Sequence, residues 1–233
     1  MTGKKNNVYA IIVAGGTGKR FGGDLPKQFR PVKEKPVIVC TIEAFYRAIP
    51  NIKIFVSIND KWKNYWLDLA AKYFPSFQLN TVSGGKERFF SVKNALAHIP
   101  DNPTNDVILI HDAVRPIISP TLINNITNEA INNTSAIPYV PVEQTLRRVL
   151  SDDMDTEVVN RNEYIQIQTP QGFNLSLLKK AYEQEFNSSF TDDASVFEAA
   201  GFNLHFVPGE KMNIKITYPD DIVIVRKILS NNC

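Results

Sequence analysis

VYAIIVAGGTGKRFGG, residues 8–23, passes from a near-continuous apolar run directly into a glycine-rich turn. Such a run reads as a strand buried on both faces, over residues 8–14. The glycines after it form a permissive backbone in which main-chain N–H groups approach a phosphate chain closely. Two familiar phosphate loops are excluded. A P-loop needs glycine where Val13 stands and Ser or Thr where Arg20 follows Gly18-Lys19, and the dinucleotide fingerprint needs a third glycine at Phe21. What remains is Gly15-Gly16, Gly18, Arg20 and then Pro26-Lys27, which is phosphate-binding chemistry without a nucleoside triphosphatase signature. The plainer alternative is a tight strand-to-helix turn and nothing more.

Working outward, helical spacing covers 36–48, 61–74 and 86–98, and β-branched runs cover 52–58, 77–83 and 106–112. Ser119-Pro120 opens a further helix to about residue 132, with serine as N-cap and proline at the first helical position. Alternation of this kind predicts an α/β fold with a doubly wound, mostly parallel sheet. Ligands of such sheets sit at the carboxyl ends of the strands, where both the glycine loop and His111-Asp112 fall. The alternation breaks between about 138 and 170. There TLRRVL (145–150) and EVVN (157–160) flank the turn-forming SDDMD, which reads as a protruding β-hairpin arm at about 138–162. A two-stranded arm is marginal alone, so it is expected to dock on a second copy and make a homodimer. Helices at 174–186 and 191–200, a strand at 202–207 and a helix from 219 to about 229 complete a single expected domain over 1–233.

Composition narrows the class. Lys and Arg total 26 against 24 Asp and Glu, a net charge of +2, too balanced for a nucleic-acid-binding surface. Cys40 and Cys233 provide neither a disulfide framework nor metal-ligand spacing. The polar start MTGKKNN has no apolar signal region, and no run is long enough for a membrane span. A cytoplasmic protein without membrane or nucleic-acid partners is expected.

The pattern A-G-G-x-G-x-R followed by P-K-Q resembles the nucleotide-binding signature of the sugar nucleotidyltransferases. SGGKERFFSV (83–92), HDAVRP (111–116), QTPQGF (168–173), TDDAS (191–195) and NIKIT (213–217) then follow in the order of the 2-C-methyl-D-erythritol 4-phosphate cytidylyltransferase family. The resemblance runs from about residue 8 to 229 and implies transfer of CMP from CTP to a small polyol phosphate. It also implies Mg²⁺ or another divalent cation and a homodimer joined through the arm. Carried over position by position, it places Ala14, Gly15 and Gly16 along the cytidine and triphosphate, Gly85 and Ser91 near the cytosine, and Asp112 and Ala113 near the ribose. Arg20, Lys27 and Lys215 meet the phosphates, and Asp112 is the candidate for holding the cation. Thr145 and Arg161 reach from the arm into a neighbouring acceptor site, and Thr191 is another acceptor contact. Lys86 stands where the family often has an acidic residue, and the arm tip matches nothing in the family pattern. Each position has an ordinary reading too: Lys27 as a solvated lysine, Asp112 as a capping aspartate, Thr145 and Arg161 as exposed arm residues.

The chemistry needs positive charge more than a base. A phosphomonoester with its second pKa near ~6 is already largely dianionic at neutral pH, so its oxygen attacks the α-phosphorus unaided. His111 is therefore expected to be structural and Arg88 to anchor its loop. Two other functions stay open at this level: ribitol 5-phosphate as acceptor, and a nucleotide-binding module without turnover.

Overall fold

The structure is a computed structural model that describes residues 6–16, 21–101 and 105–231. In chain order its elements are β1 (Val8–Ala14), β2 (Pro31–Val32), β3 (Lys35–Pro36), α1 (Val37–Ala48), β4 (Lys53–Ile58), α2 (Lys63–Tyr73), β5 (Leu79–Ser83), α3 (Arg88–Ala97) and β6 (Val107–Asp112). Then come α4 (Pro120–Asn133), β7 (Ser135–Pro141), β8 (Arg147–Val149), β9 (Thr156–Val158), β10 (Ile165–Ile167), β11 (Gln171–Asn174), α5 (Leu175–Ala181), α6 (Asp193–Ala199), β12 (Phe206–Pro208) and α7 (Pro219–Asn231).

Alternation along each strand builds the core on both sides of the sheet. Ala10, Ile12, Ile54, Val56 and Leu109 face one way, against Ile38, Phe45, Trp66, Ile123 and Ile126. Tyr9, Ile11, Phe55, Ile108 and Ile110 face the other, against Phe89, Val92, Phe173, Leu178 and Phe197. Both faces being covered is what makes the strands read as apolar runs. Helix starts follow the side chains available: Ser119 Oγ accepts from the Leu122 N–H at 3.0 Å ahead of α4, and Asp192 and Ser195 form a reciprocal capping box at α6.

β5, β4, β1 and β6 run parallel in that order. β11 pairs antiparallel with both β6 and β7, and β12 runs parallel along β7. β10 pairs antiparallel with β7, so that Tyr139 is flanked by Ile167 on one side and Pro208 on the other. The mostly parallel expectation holds, and the antiparallel insertion is new. β11 was hidden by Gly172, a weak strand former, which is required because a Cβ there would come within 2.7 Å of Ile126 Cγ2 on α4. β12 is shorter than the expected 202–207, since Phe202 and Leu204 pack apolar surface without strand pairing. The helix expected over 174–186 ends at Ala181, where the Tyr182 N–H bonds the carbonyls of both Leu178 and Lys179.

The arm is the separate β8–β9 hairpin, registered Arg147 to Val158 and Val149 to Thr156. Among the described residues no helix is long and apolar enough to cross a membrane.

Candidate active site

Strand order reverses at β1. From it the chain steps to β4 and β5 on one side, then returns to β6 on the other. Connections lead away in opposite directions there, so the carboxyl ends of β1 and β6 border a crevice, the usual ligand position in a doubly wound sheet. A cleft of about 400 Å³ occupies it.

The cleft gathers nine of the residues singled out from the sequence. Ala14, Gly15 and Gly16 end β1, Lys27 follows the loop, Gly85 and Ser91 flank the start of α3, Asp112 and Ala113 end β6, and Lys215 comes from the NIKIT segment. Arg20, with the rest of 17–20, lies outside the described residues. Thr145, Arg161 and Thr191 are exposed and lie outside the cleft lining. Arg161 donates instead to the Glu143 carbonyl at the base of its own arm.

Local bonding explains why the chain holds this shape. Gln28, almost wholly buried, donates through Nε2 to the carbonyls of Ala14 at 2.8 Å and Gly16 at 3.3 Å. That turns these two carbonyls inward to protein. The Lys27 ammonium donates to the Ile216 carbonyl at 2.7 Å, and the Ile216 N–H donates to Val114, so the NIKIT segment is tied to both sides of the cleft. Ser91 Oγ accepts the Gly85 N–H at 3.0 Å and donates to the Glu87 carbonyl at 3.2 Å. Its hydroxyl shapes the turn into α3. Gly85 must be glycine, because a Cβ would fall 2.2 Å from Phe90 Cβ.

Asp112 is the electrostatic centre. Lys215 Nζ lies 2.9 Å and Arg115 Nε 3.3 Å from its Oδ2, and Arg88 Nε stands 3.8 Å from Oδ1. Burial works against ionisation, but Lys215, Arg88 and Arg115 outweigh it and hold the carboxyl well below the usual carboxylate range. Among the described residues, both charged contacts closer than 3.5 Å fall on Oδ2, leaving Oδ1 the less engaged oxygen. Arg115 also donates to the Asn213 carbonyl at 2.8 Å. Neither Arg115 nor Gln28 was singled out from the sequence, although both lie within quoted motifs. Arg115 was legible as a cation three residues after Asp112.

His111 is fully buried, with Nε2 3.1 Å from the Arg115 carbonyl and Nδ1 3.0 Å from Thr169 Oγ1. A carbonyl only accepts, so Nε2 carries the proton and Nδ1 accepts from the threonine hydroxyl. That hydroxyl in turn accepts the Asp112 N–H at 3.2 Å. Burial pushes the imidazole down to about 4. His111 is thus a neutral strut behind Asp112.

A larger cavity of about 1130 Å³ lies elsewhere, lined by Val32, Cys40, Ile117 and Leu229 among others. Size does not make it the reaction centre. Its Lys35 is paired with Glu43 at 2.6 Å and its Lys33 donates to the Leu229 carbonyl, whereas the smaller cleft joins Lys27, Lys215 and a glycine loop around one carboxylate.

A glycine loop, two lysines and a buried carboxylate at the strand-order reversal of a doubly wound sheet make a cleft suited to a phosphorylated ligand. The family model described as 2-C-methyl-D-erythritol 4-phosphate cytidylyltransferase matches residues 8–231. A protein of that name from Phocaeicola vulgatus is 41% identical over 223 residues, 96% of this chain and 100% of the relative. One from Bacillus thuringiensis is 36% identical over 94% of this chain and 96% of its own length. Among solved structures, the 4-diphosphocytidyl-2C-methyl-D-erythritol synthase of Anaerococcus prevotii superposes with a TM-score of 0.79 at 28% identity, covering 97% of this chain and 99% of the other. The chain belongs to the 2-C-methyl-D-erythritol 4-phosphate cytidylyltransferase family.

Proposed function

We propose that the cleft binds CTP along the ends of β1 and β6 and transfers its CMP part to 2-C-methyl-D-erythritol 4-phosphate, releasing pyrophosphate, as a step of isoprenoid precursor synthesis. The observation that carries this is the convergence of Lys27, Lys215 and Asp112 beside the Ala14–Gly16 loop at the strand-order reversal of a chain in this family.

The acceptor phosphate is ionised, so the protein's work is to bring like charges together and stabilise the extra charge on the α-phosphoryl oxygens. Lys27 and Lys215 serve that purpose from the cleft, joined in this proposal by Arg20. Gly85 and Ser91 border the cytosine, and Asp112 and Ala113 the ribose. His111 takes no proton, being buried, neutral and bonded at both nitrogens.

Among the described residues no group of three His, Cys, Asp or Glu side chains converges on a metal position. Asp112 would hold a divalent cation through Oδ1, its less engaged oxygen, with phosphate oxygens and water supplying the other ligands, an arrangement that suits Mg²⁺. When bound, Mg²⁺ or another divalent cation neutralises triphosphate charge and eases departure of pyrophosphate.

The acceptor half is completed by Thr191 and, from a second copy, by Thr145 and Arg161 on the arm. The reading is of one domain over 1–233, a homodimer, working in the cytoplasm. Pyrophosphate release from CTP with each acceptor tests it. Release with 2-C-methyl-D-erythritol 4-phosphate well above that with ribitol 5-phosphate is expected. Preference for ribitol 5-phosphate overturns the acceptor, and CTP binding without release from either overturns the enzyme.

A further inference from the structure

Asp193 lies outside the cleft lining and is completely buried, yet it makes the shortest contact to a cleft cation in this region. Arg88 Nη2 stands 2.6 Å from its Oδ2, and the Tyr182 hydroxyl donates to its Oδ1 at 2.6 Å. Arg88 is the same guanidinium whose Nε stays 3.8 Å from Asp112 Oδ1. The two carboxylates thus compete for one arginine, and Asp193 holds it. Burial disfavours the arginine's charge, but Asp193 and Asp112 together keep it protonated.

We propose that Asp193 is a positioning residue for Asp112: by drawing Arg88 to itself it keeps that guanidinium off Oδ1, leaving the oxygen open to a divalent cation carried by the nucleotide. Lys215 and Arg115 already crowd Oδ2. A guanidinium settling on Oδ1 would occupy that oxygen and place one more positive charge at close range to a metal ion. Asp193 also offsets one of these three positive charges. Its chain position adds a link, because Thr191 precedes it by two residues and Asp192 between them caps α6. The arginine clamp therefore joins the segment assigned to the acceptor with the carboxylate assigned to the cation.

The inference rests on the reading of the cleft as a CTP site, and calorimetry with a non-hydrolysable CTP analogue separates the two. Wild type is titrated with and without Mg²⁺, followed by Asp193→Asn and by Asp193→Asn combined with Arg88→Gln, all after thermal melts. Asp193→Asn is expected to lose about tenfold or more of the Mg²⁺-dependent gain in nucleotide affinity, with Mg²⁺-free affinity little changed. The double variant, which has no guanidinium to collapse onto Asp112, is expected to regain most of it. Equal losses with and without Mg²⁺, or a double variant no better than the single, overturn the proposal. If Asp193→Asn does not fold, Tyr182→Phe removes only the hydroxyl that orients Asp193 and is expected to show the same Mg²⁺-selective loss in weaker form. An unshifted Mg²⁺ dependence in that folded variant overturns the proposal as well. Wild type that binds no CTP analogue overturns the nucleotide reading instead.

Discussion

The crevice at the ends of β1 and β6 and the arm formed by β8 and β9 are held by opposite means. In and behind the crevice, cations find partners on elements distant in sequence: Lys215 on Asp112, Arg88 on Asp193, Lys27 on the Ile216 carbonyl. The arm is bonded mainly to itself. Arg147 donates to the Thr156 hydroxyl at 2.7 Å and Arg148 pairs with Glu157 at 3.1 Å, both in the open. Exposed pairs of that kind contribute roughly 0–1 kcal/mol each. Meanwhile Val149, Leu150, Met154 and Val158 on the arm stay more than half exposed. The crevice is assembled within one chain, whereas the arm leaves apolar side chains in the open that the proposed dimer would cover.

The largest expected effect lies in the crevice. Lys27→Ala should lower kcat by about 10²–10³, the cost of removing one preorganised charge from a developing oxyanion. It should alter CTP affinity much less, as steady-state kinetics with varied CTP will measure. An unchanged kcat with only a raised KM would make Lys27 a plain binding residue.

The arm should behave differently. Arg161→Ala removes a guanidinium suited to two hydrogen bonds with the acceptor phosphate, worth about 1.5–3 kcal/mol. The acceptor KM should rise by about one to two orders of magnitude while the KM for CTP stays near wild type. A parallel rise in both would erase the division between donor crevice and acceptor arm.

The smallest effect on turnover should come from a fully buried polar group behind the crevice. His111→Gln should keep activity within about tenfold at neutral pH, because the nucleophile is already ionised. Its signature is in stability. The folded imidazole titrates near 4 against an ordinary 6.5, so between those values the unfolded chain takes up a proton that the folded chain refuses. The wild type should lose on the order of 3 kcal/mol as pH falls through this window. The variant should start about 1 kcal/mol lower from lost hydrogen bonding and stay flatter with pH. A thousandfold activity loss in a folded variant, rescued at high pH, would make His111 a proton acceptor.

The crevice was more legible in the sequence than the bonds that hold it. Runs such as residues 8–14 and 106–112, buried on both faces, and caps such as Ser119-Pro120, are local signals, and they placed the carboxyl ends of β1 and β6. β11 carried no such signal. Gln171 is polar yet fully buried, because its amide donates to Asp192 at 2.7 Å and accepts the Ala194 N–H at 2.9 Å. Gln28, Arg115 and Asp193 likewise act on partners reached only through the fold. The arm was readable from its turn chemistry, since SDDMD sits between two β-like runs, but what covers it is not written in its spacing.

The most direct test of the division between crevice and arm is to mix Lys27→Ala subunits with Arg161→Ala subunits under conditions of demonstrated exchange. If the arm serves the neighbouring crevice, each mixed dimer holds one site with every group intact. Activity should return toward about a quarter of wild type, given random pairing and independent sites. Heterodimers that form and stay inactive would contradict the account and leave Arg161 to its own subunit or to no site at all.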